Sequence, residues 1–209
     1  MKRLLVVSDE VSSALERGLP GKGFGKVDLV LSCGDLPYDY LEYLTDAFEA
    51  PLVYVHGNHD RPVEGENRTI MAPQGGISLE GRVLERAGLL VAGLGGSPRY
   101  EARHPHQYTE GEMRFRALRL GARLRWLEVT RNRRLDILVT HAPPRGIHDS
   151  LDPVHQGFAA FLPLLRQHRP RYHVHGHSQP RPGPPARTWY GPTEVIHVRG
   201  HLLLEVPNG

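Results

Sequence analysis

Five short polar clusters in this 209-residue chain each follow an apolar run, and their residue types are those that hold metal ions. They are Asp9, Asp35, the triplet Asn58-His59-Asp60, His141 and His177. Carboxylates, an amide oxygen and imidazoles form a mixed oxygen and nitrogen donor set suited to hard or borderline divalent ions. A strand-terminal aspartate on its own is ordinarily a turn former or a helix cap. Five such clusters brought to one place would accommodate one or two cations. A shared aspartate could then bridge ions about 3.5–4 Å apart for in-line attack on phosphorus. The single cysteine, Cys33, excludes an intrachain disulfide and a cysteine-only zinc site, and reads as a small buried residue.

The elements that would carry these clusters read as alternating strands and helices. Apolar runs at Arg3 to Val7, Val27 to Ser32, Leu52 to Val55, Leu89 to Leu94, Leu135 to Thr140 and Tyr172 to His175 are short and continuous, as buried strands are. Leu41, Leu44 and Phe48 recur at helical spacing within Tyr40 to Phe48. Met113, Ala117, Leu120, Leu124 and Leu127 predict an amphipathic helix over about 112–128. A further helix is expected around Phe158 to His168, a loop over the proline-rich stretch Pro180 to Pro185, and three short strands after it. Strand-helix-strand units imply a largely parallel α/β sheet, and ligands gather beyond the carboxyl ends of such strands. All five clusters sit at such ends.

Composition bounds the class. Apolar residues at 39% and charged residues at 23% fit a folded globular protein, and no apolar run reaches the roughly 18 residues of a membrane span. The first apolar run is cut off by Ser8-Asp9-Glu10, too early for a signal-peptide core, so a cytoplasmic enzyme-sized domain over residues 1–209 is expected. A net charge of +3 permits anionic ligands without demanding nucleic acid, and no basic run interleaved with aromatics is visible. Gly21 to Lys26 precedes a strand and lacks the phosphate-loop pattern, so it reads as a connection. Arg116, Arg119 and Arg123 read as a solvated helix face, and Arg131 to Arg134 as a helix exit. Backbone N–H groups of Gly95 to Arg99 are candidates to line a pocket. His148, His155, His173 and His175 read as hydrogen-bonded or solvated histidines, not as ligands.

The motifs Asp9-Glu10-Val11, Gly34-Asp35, Gly57-Asn58-His59-Asp60, Thr140-His141 and Gly176-His177-Ser178-Gln179 resemble a known series. They are similar, in order, to the D-x-H, G-D, G-N-H-[D/E], H and G-H-x-H motifs of the calcineurin-like metallophosphoesterase superfamily. The resemblance implies two mixed β-sheets packed face to face with helices on the outside, and metals at the sheet ends. It also implies hydrolysis of phosphate mono- or diesters by metal-activated water, acting on a small phosphorylated compound or nucleotide. One metal position is implied complete in Asp35, Asn58, His141 and His177. The other would retain Asp9 and the shared Asp35, since Val11 stands where the family has a histidine and Gln179 offers only an amide oxygen. Loss of two imidazoles favours manganese or magnesium there over zinc or iron. His59 corresponds to the family's leaving-group acid, with Asp60 expected to hold its ring. The paired departures also leave room for a lapsed phosphoesterase fold used as a binding module. The arginine surplus, with Lys2, Lys22 and Lys26 the only lysines among 26 basic residues, leaves a nuclease as a third reading.

Overall fold

The computed structural model describes residues 1–17, 23–61, 63–64, 69–70, 72–102, 104–178 and 185–207. Gly21 and Lys22 of the expected connection, Gln179 and residues 180–184 of the expected loop lie outside the described residues. The chain runs through β1 (Lys2–Ser8), α1 (Ser13–Arg17), β2 (Leu29–Ser32), α2 (Tyr38–Phe48) and β3 (Leu52–Tyr54). Next come the small pair β4 (Val63–Glu64) and β5 (Thr69–Ile70), then β6 (Ile77–Ser78), β7 (Val83–Arg86), β8 (Leu89–Leu94), β9 (Ser97–Pro98) and β10 (Gln107–Tyr108). The long α3 (Glu110–Arg131), β11 (Ile137–Thr140), a 3-10 turn at Pro153–His155, α4 (Phe161–His168) and β12 (Tyr172–His175) follow. The described chain closes with β13 (Arg187–Tyr190), β14 (Thr193–His197) and β15 (Gly200–Val206).

Two mixed sheets result, ordered β15-β1-β2-β3-β6 and β13-β14-β12-β11-β8-β7. Within them β1, β2, β3 and β6 are parallel, as are β8, β11, β12 and β14, and antiparallel strands occupy other edges. Side chains alternate along each strand. Leu4 and Val6 of β1 therefore point between the sheets, where they meet Leu29, Leu31, Val91, Val139, Val174 and Ile196. Leu5 and Val7 point outward to Leu15, Leu41 and Leu44 of the first two helices. On the far side, Leu94, Leu138 and Val195 pack against Met113, Leu120, Leu124 and Phe161 of α3 and α4. The layers are helix, sheet, sheet, helix, which explains why the strands are apolar on both faces.

Boundaries differ from the sequence expectation for identifiable reasons. β2 begins at Leu29 because the Asp28 carboxylate accepts the N–H of Arg3 at 2.9 Å, and β11 begins at Ile137 because Asp136 accepts that of Leu90 at 2.8 Å. Helix α3 extends beyond 112–128 at both ends. Thr109 and Glu112 form a reciprocal capping box, and Asn132 in the left-handed region stops the helix. The strands β6 and β7 are only half-buried and carry no strong apolar signal, so no sequence pattern marks them.

Candidate metal centre

Parallel order brings the carboxyl ends of β1, β2, β3, β11 and β12 to one rim, and the polar clusters turn inward there. Asp9, Asp35 and His177 all adopt positive φ, at 62°, 59° and 47°. Non-glycine residues are uncommon in this region, and such strain, about 1–3 kcal/mol each, gathers at functional sites. Two glycines allow the close approach. A Cβ on Gly57 would collide with the Asp35 carboxylate, and one on Gly176 with Ser8 and Asp9.

Ligand atoms of Asp35, His141 and His177 lie within 4.8 Å of one another. His141 is fully buried. Its Nδ1–H donates to the Cys33 carbonyl at 2.8 Å, so Nε2 carries the lone pair in the neutral ring. That Nε2 stands 3.0 Å from Asn58 Oδ1 and 3.2 Å from Asp35 Oδ2. His177 is fixed in the mirror fashion, with Nε2–H donating to the Val154 carbonyl at 2.7 Å, so that Nδ1 carries the lone pair in the neutral ring. Lone pairs and a carboxylate facing one another repel unless a positive charge lies among them. The donor set therefore fits a divalent cation, and without one a proton takes that part. Burial pulls the His141 pKa down, but the Asp35 and Asp9 carboxylates and the Cys33 carbonyl outweigh it and hold it up at about 9. His177 lacks such compensation, and burial, with His141 nearby, drops it to about 3. Asp35 is penalised by burial, yet His141 and the His59 amide keep it well below the usual carboxylate range. Asp9 is raised, chiefly by burial.

The remaining site residues divide. Asn58 is completely buried at the cluster. The Asp9 carboxylate accepts the His177 N–H at 3.2 and 3.3 Å. The His59 N–H donates to Asp35 Oδ1 at 2.7 Å, while its side chain is exposed on a cleft of about 310 Å³ shared with Pro37, Tyr38, Asp60 and Arg61. The expectation that Asp60 holds the His59 ring needs correction. Asp60 Oδ2 accepts the Gly57 N–H at 2.8 Å and closes the turn, and among the described residues no hydrogen bond joins it to that ring. Glu10 pairs with Arg199 at 2.6 Å, away from the cluster, and Val11 is 39% exposed. The His155 ring lies 5.3 Å from that of His177, with its Nδ1 at 2.6 Å from Asp152. His173 and His175 bond to Thr140 Oγ1 at 2.8 Å and to the Gly176 carbonyl at 2.9 Å, bracing the two turns that carry His141 and His177.

A half-buried ion pair has no counterpart in the sequence reading. Glu80 accepts the N–H of His56 at 3.0 Å and of Gly95 at 3.2 Å, and forms an ion pair with Arg116. Arg116 is thus part of a tertiary bridge, not of a solvated face. The pocket-lining role considered for the N–H groups of Gly95 to Arg99 also fails. Those of Gly95, Gly96, Ser97 and Arg99 donate to Glu80 and to the carbonyls of His56, His106 and Tyr108, and Pro98 has none. Burial acts against the Glu80 carboxylate, but His56, Arg116 and the two amides reverse it and lower its pKa to about 2. A carboxylate depressed from 4.5 to about 2 contributes about 3 kcal/mol of stability above pH 4.5, lost progressively as the pH falls toward 2. Glu80→Gln is accordingly expected to be the less stable chain at pH 7 in urea unfolding. The gap to the parent should narrow steadily below pH 4.5, and a gap independent of pH would contradict this account.

Comparison with known proteins now decides the family. The family model described as calcineurin-like phosphoesterase matches residues 7–181. The chain belongs to that family. One solved structure superposes with a TM-score of 0.63 at 15% identity, covering 93% of this chain and 89% of its own. The crystal structure of TT1561 of Thermus thermophilus superposes with a TM-score of 0.60 at 20% identity, covering 94% of this chain and 88% of its own. At these identities the likeness shows the calcineurin-like fold alone. No curated protein matches the chain. Family membership supports metal-dependent phosphoester hydrolysis and a divalent ion at the Asp35, His141 and His177 cluster. No helix among the described residues is long and apolar enough to cross a membrane.

Proposed function

We propose that residues 1–209 form one metallophosphoesterase domain that hydrolyses a small phosphorylated compound or nucleotide. Its firmly held cation, manganese in preference to zinc, iron or magnesium, takes Asp35, Asn58, His141 and His177 as ligands. The observation that carries this is the convergence of the His141 lone pair on Asn58 Oδ1 and Asp35 Oδ2, at 3.0 and 3.2 Å. A divalent ion supplies Lewis acidity toward the phosphoryl oxygens and acidifies water it holds. The rest is done by the chain. The Cys33 and Val154 carbonyls aim the two imidazoles, the His59 N–H steadies Asp35, and the Asp60 carboxylate holds the turn that presents Asn58. The exposed His59 ring protonates the leaving oxygen, and the adjoining cleft with Tyr38 and Arg61 receives the leaving group. Elemental analysis of purified protein, with hydrolysis of an aryl phosphate monoester and diester, tests the reading. Metal-free protein that takes up neither manganese nor zinc would sink it.

The second position, with Asp9, the shared Asp35 and Gln179, is proposed to be weak. Val11 has no donor atom, and its methyl groups do not solvate an ion. The double reversion Val11→His with Gln179→His is expected to raise bound metal from about one to about two per chain, with faster hydrolysis. Two tightly held ions in the unaltered protein would refute the inequality. The same departure supports a second reading, a binding module without turnover, in which metal is bound but neither aryl phosphate is cleaved. A nuclease would instead cleave nucleic acid faster than either.

A further inference from the structure

Asn58 poses a problem that the other ligands do not. A carboxylate presents equivalent oxygens, and each imidazole here is aimed by a carbonyl behind it, but an amide has one acceptor end and one donor end. Turned over, it would offer a cation two N–H groups in place of Oδ1. Asn58 is completely buried, so bulk water does not select the orientation. With a proton on Nε2, His141 favours the same orientation by donating to Oδ1, but that proton must leave before a cation can enter, and Nε2 is then an acceptor facing Oδ1 that selects nothing. Selection requires an acceptor on the far side of the amide, and one is present: Asn58 Nδ2 donates to the Tyr100 hydroxyl oxygen at 2.9 Å.

The hydroxyl is itself held. Tyr100 lies between β9 and β10, which pair through Ser97 with Gln107 and Pro98 with Tyr108. Gln107 is buried, and its side-chain Oε1 accepts the N–H groups of both Tyr100 and Glu101, at 3.0 and 2.9 Å. Among the described residues its Nε2 has no partner. A buried unpaired donor costs about 1–3 kcal/mol, so this amide is retained in the orientation that grips the Tyr100 backbone. The Gln107 carbonyl accepts from Arg99 Nη2 at 3.1 Å, and Arg99 pairs at 2.9 Å with Glu112, the capping residue of α3. A line of contacts thus runs from the start of the long helix through Arg99, Gln107 and Tyr100 to one end of the Asn58 amide.

We propose that Tyr100 is a positioning residue that orients Asn58 so that its oxygen faces the cation position. The inference rests on the metal-site reading above and adds to it a residue that none of the motifs contains. Partners behind a ligand commonly govern metal affinity by about 10–100-fold. The decisive feature is symmetry, because an aspartate at position 58 has no wrong end and needs no orienting.

Manganese binding by titration calorimetry, on metal-free protein, is therefore measured for four chains: the parent, Tyr100→Phe, Asn58→Asp and the double variant. Tyr100→Phe is expected to weaken binding by about 10–100-fold, and the Asn58 Nδ2 it leaves unpaired should also lower the urea midpoint. In the Asn58→Asp background the same substitution is expected to change affinity by less than about threefold, the coupling that a double-mutant cycle isolates. Equal losses in both backgrounds would mean that Tyr100 merely supports the loop, and no loss in either would mean that it does not orient Asn58. Each overturns the inference while leaving the metal site standing. A parent that binds no manganese fails earlier and overturns the metal-site reading together with this inference.

Discussion

Purified His141→Ala protein is expected to bind manganese more than about 100-fold more weakly than the parent, because even changes behind a ligand cost about 10–100-fold. Its hydrolysis should fall in step at any metal concentration below saturation. The physical reason lies in how completely this side chain is committed. It is buried, aimed by the Cys33 carbonyl, and directed at both Asn58 and Asp35. Its removal leaves the Cys33 carbonyl without that donor and Asp35 without its facing ring, so some loss of stability, about 1–3 kcal/mol, should accompany the loss of metal. Arg119→Ala, on the exposed part of α3, serves as the comparison and should leave metal uptake unchanged. Equal metal content in the two variants would remove His141 from the ligand set.

His59→Ala is expected to behave in the opposite manner, losing turnover while keeping its metal. A general acid contributes about 10²–10⁴-fold, and kcat should fall by that order. The backbone N–H of residue 59, which bonds to Asp35, survives the substitution, so the ligand geometry is preserved. The exposed ring is lost from the cleft beside Arg61 and Tyr38. Aryl esters with strongly acidic leaving groups hardly need protonation and should be slowed least. A uniform loss across leaving groups, or unchanged turnover, would show that the imidazole is not an acid. Because Asp60 bonds to Gly57 and not to the His59 ring, Asp60→Asn should act through the turn, affecting metal affinity more than the leaving-group dependence.

Much of the fold was legible because the chain repeats one local pattern. An apolar run covered on both faces, ended by a polar cluster, marks β1, β2, β3, β11 and β12, and the arrangement of parallel strands sends every such cluster to the same rim. Helix α3 was visible in its apolar spacing, and its true ends at Thr109 and Asn132 depend on cap geometry that periodicity does not report. The short strands β6 and β7 were hidden, since half-buried residues at an edge carry little hydrophobic signal.

Residue types and their order along the chain were enough to single out Asp9, Asp35, Asn58, His59, Asp60, His141 and His177, because chemistry at a strand end is a local property. Only tertiary structure decided what holds these residues. The aiming carbonyls of Cys33 and Val154 belong to the backbone, which has no identity in a sequence. Tyr100 reaches Asn58 across 42 positions, and Arg116 reaches Glu80 across 36. Asp60, beside His59 in sequence, turns instead to Gly57, because an amide donor lies in the direction its buried carboxylate faces. Local pattern thus chose the polar groups gathered at the rim. Their orientation came from partners brought near by the packing of two sheets, at separations over which sequence carries no signal.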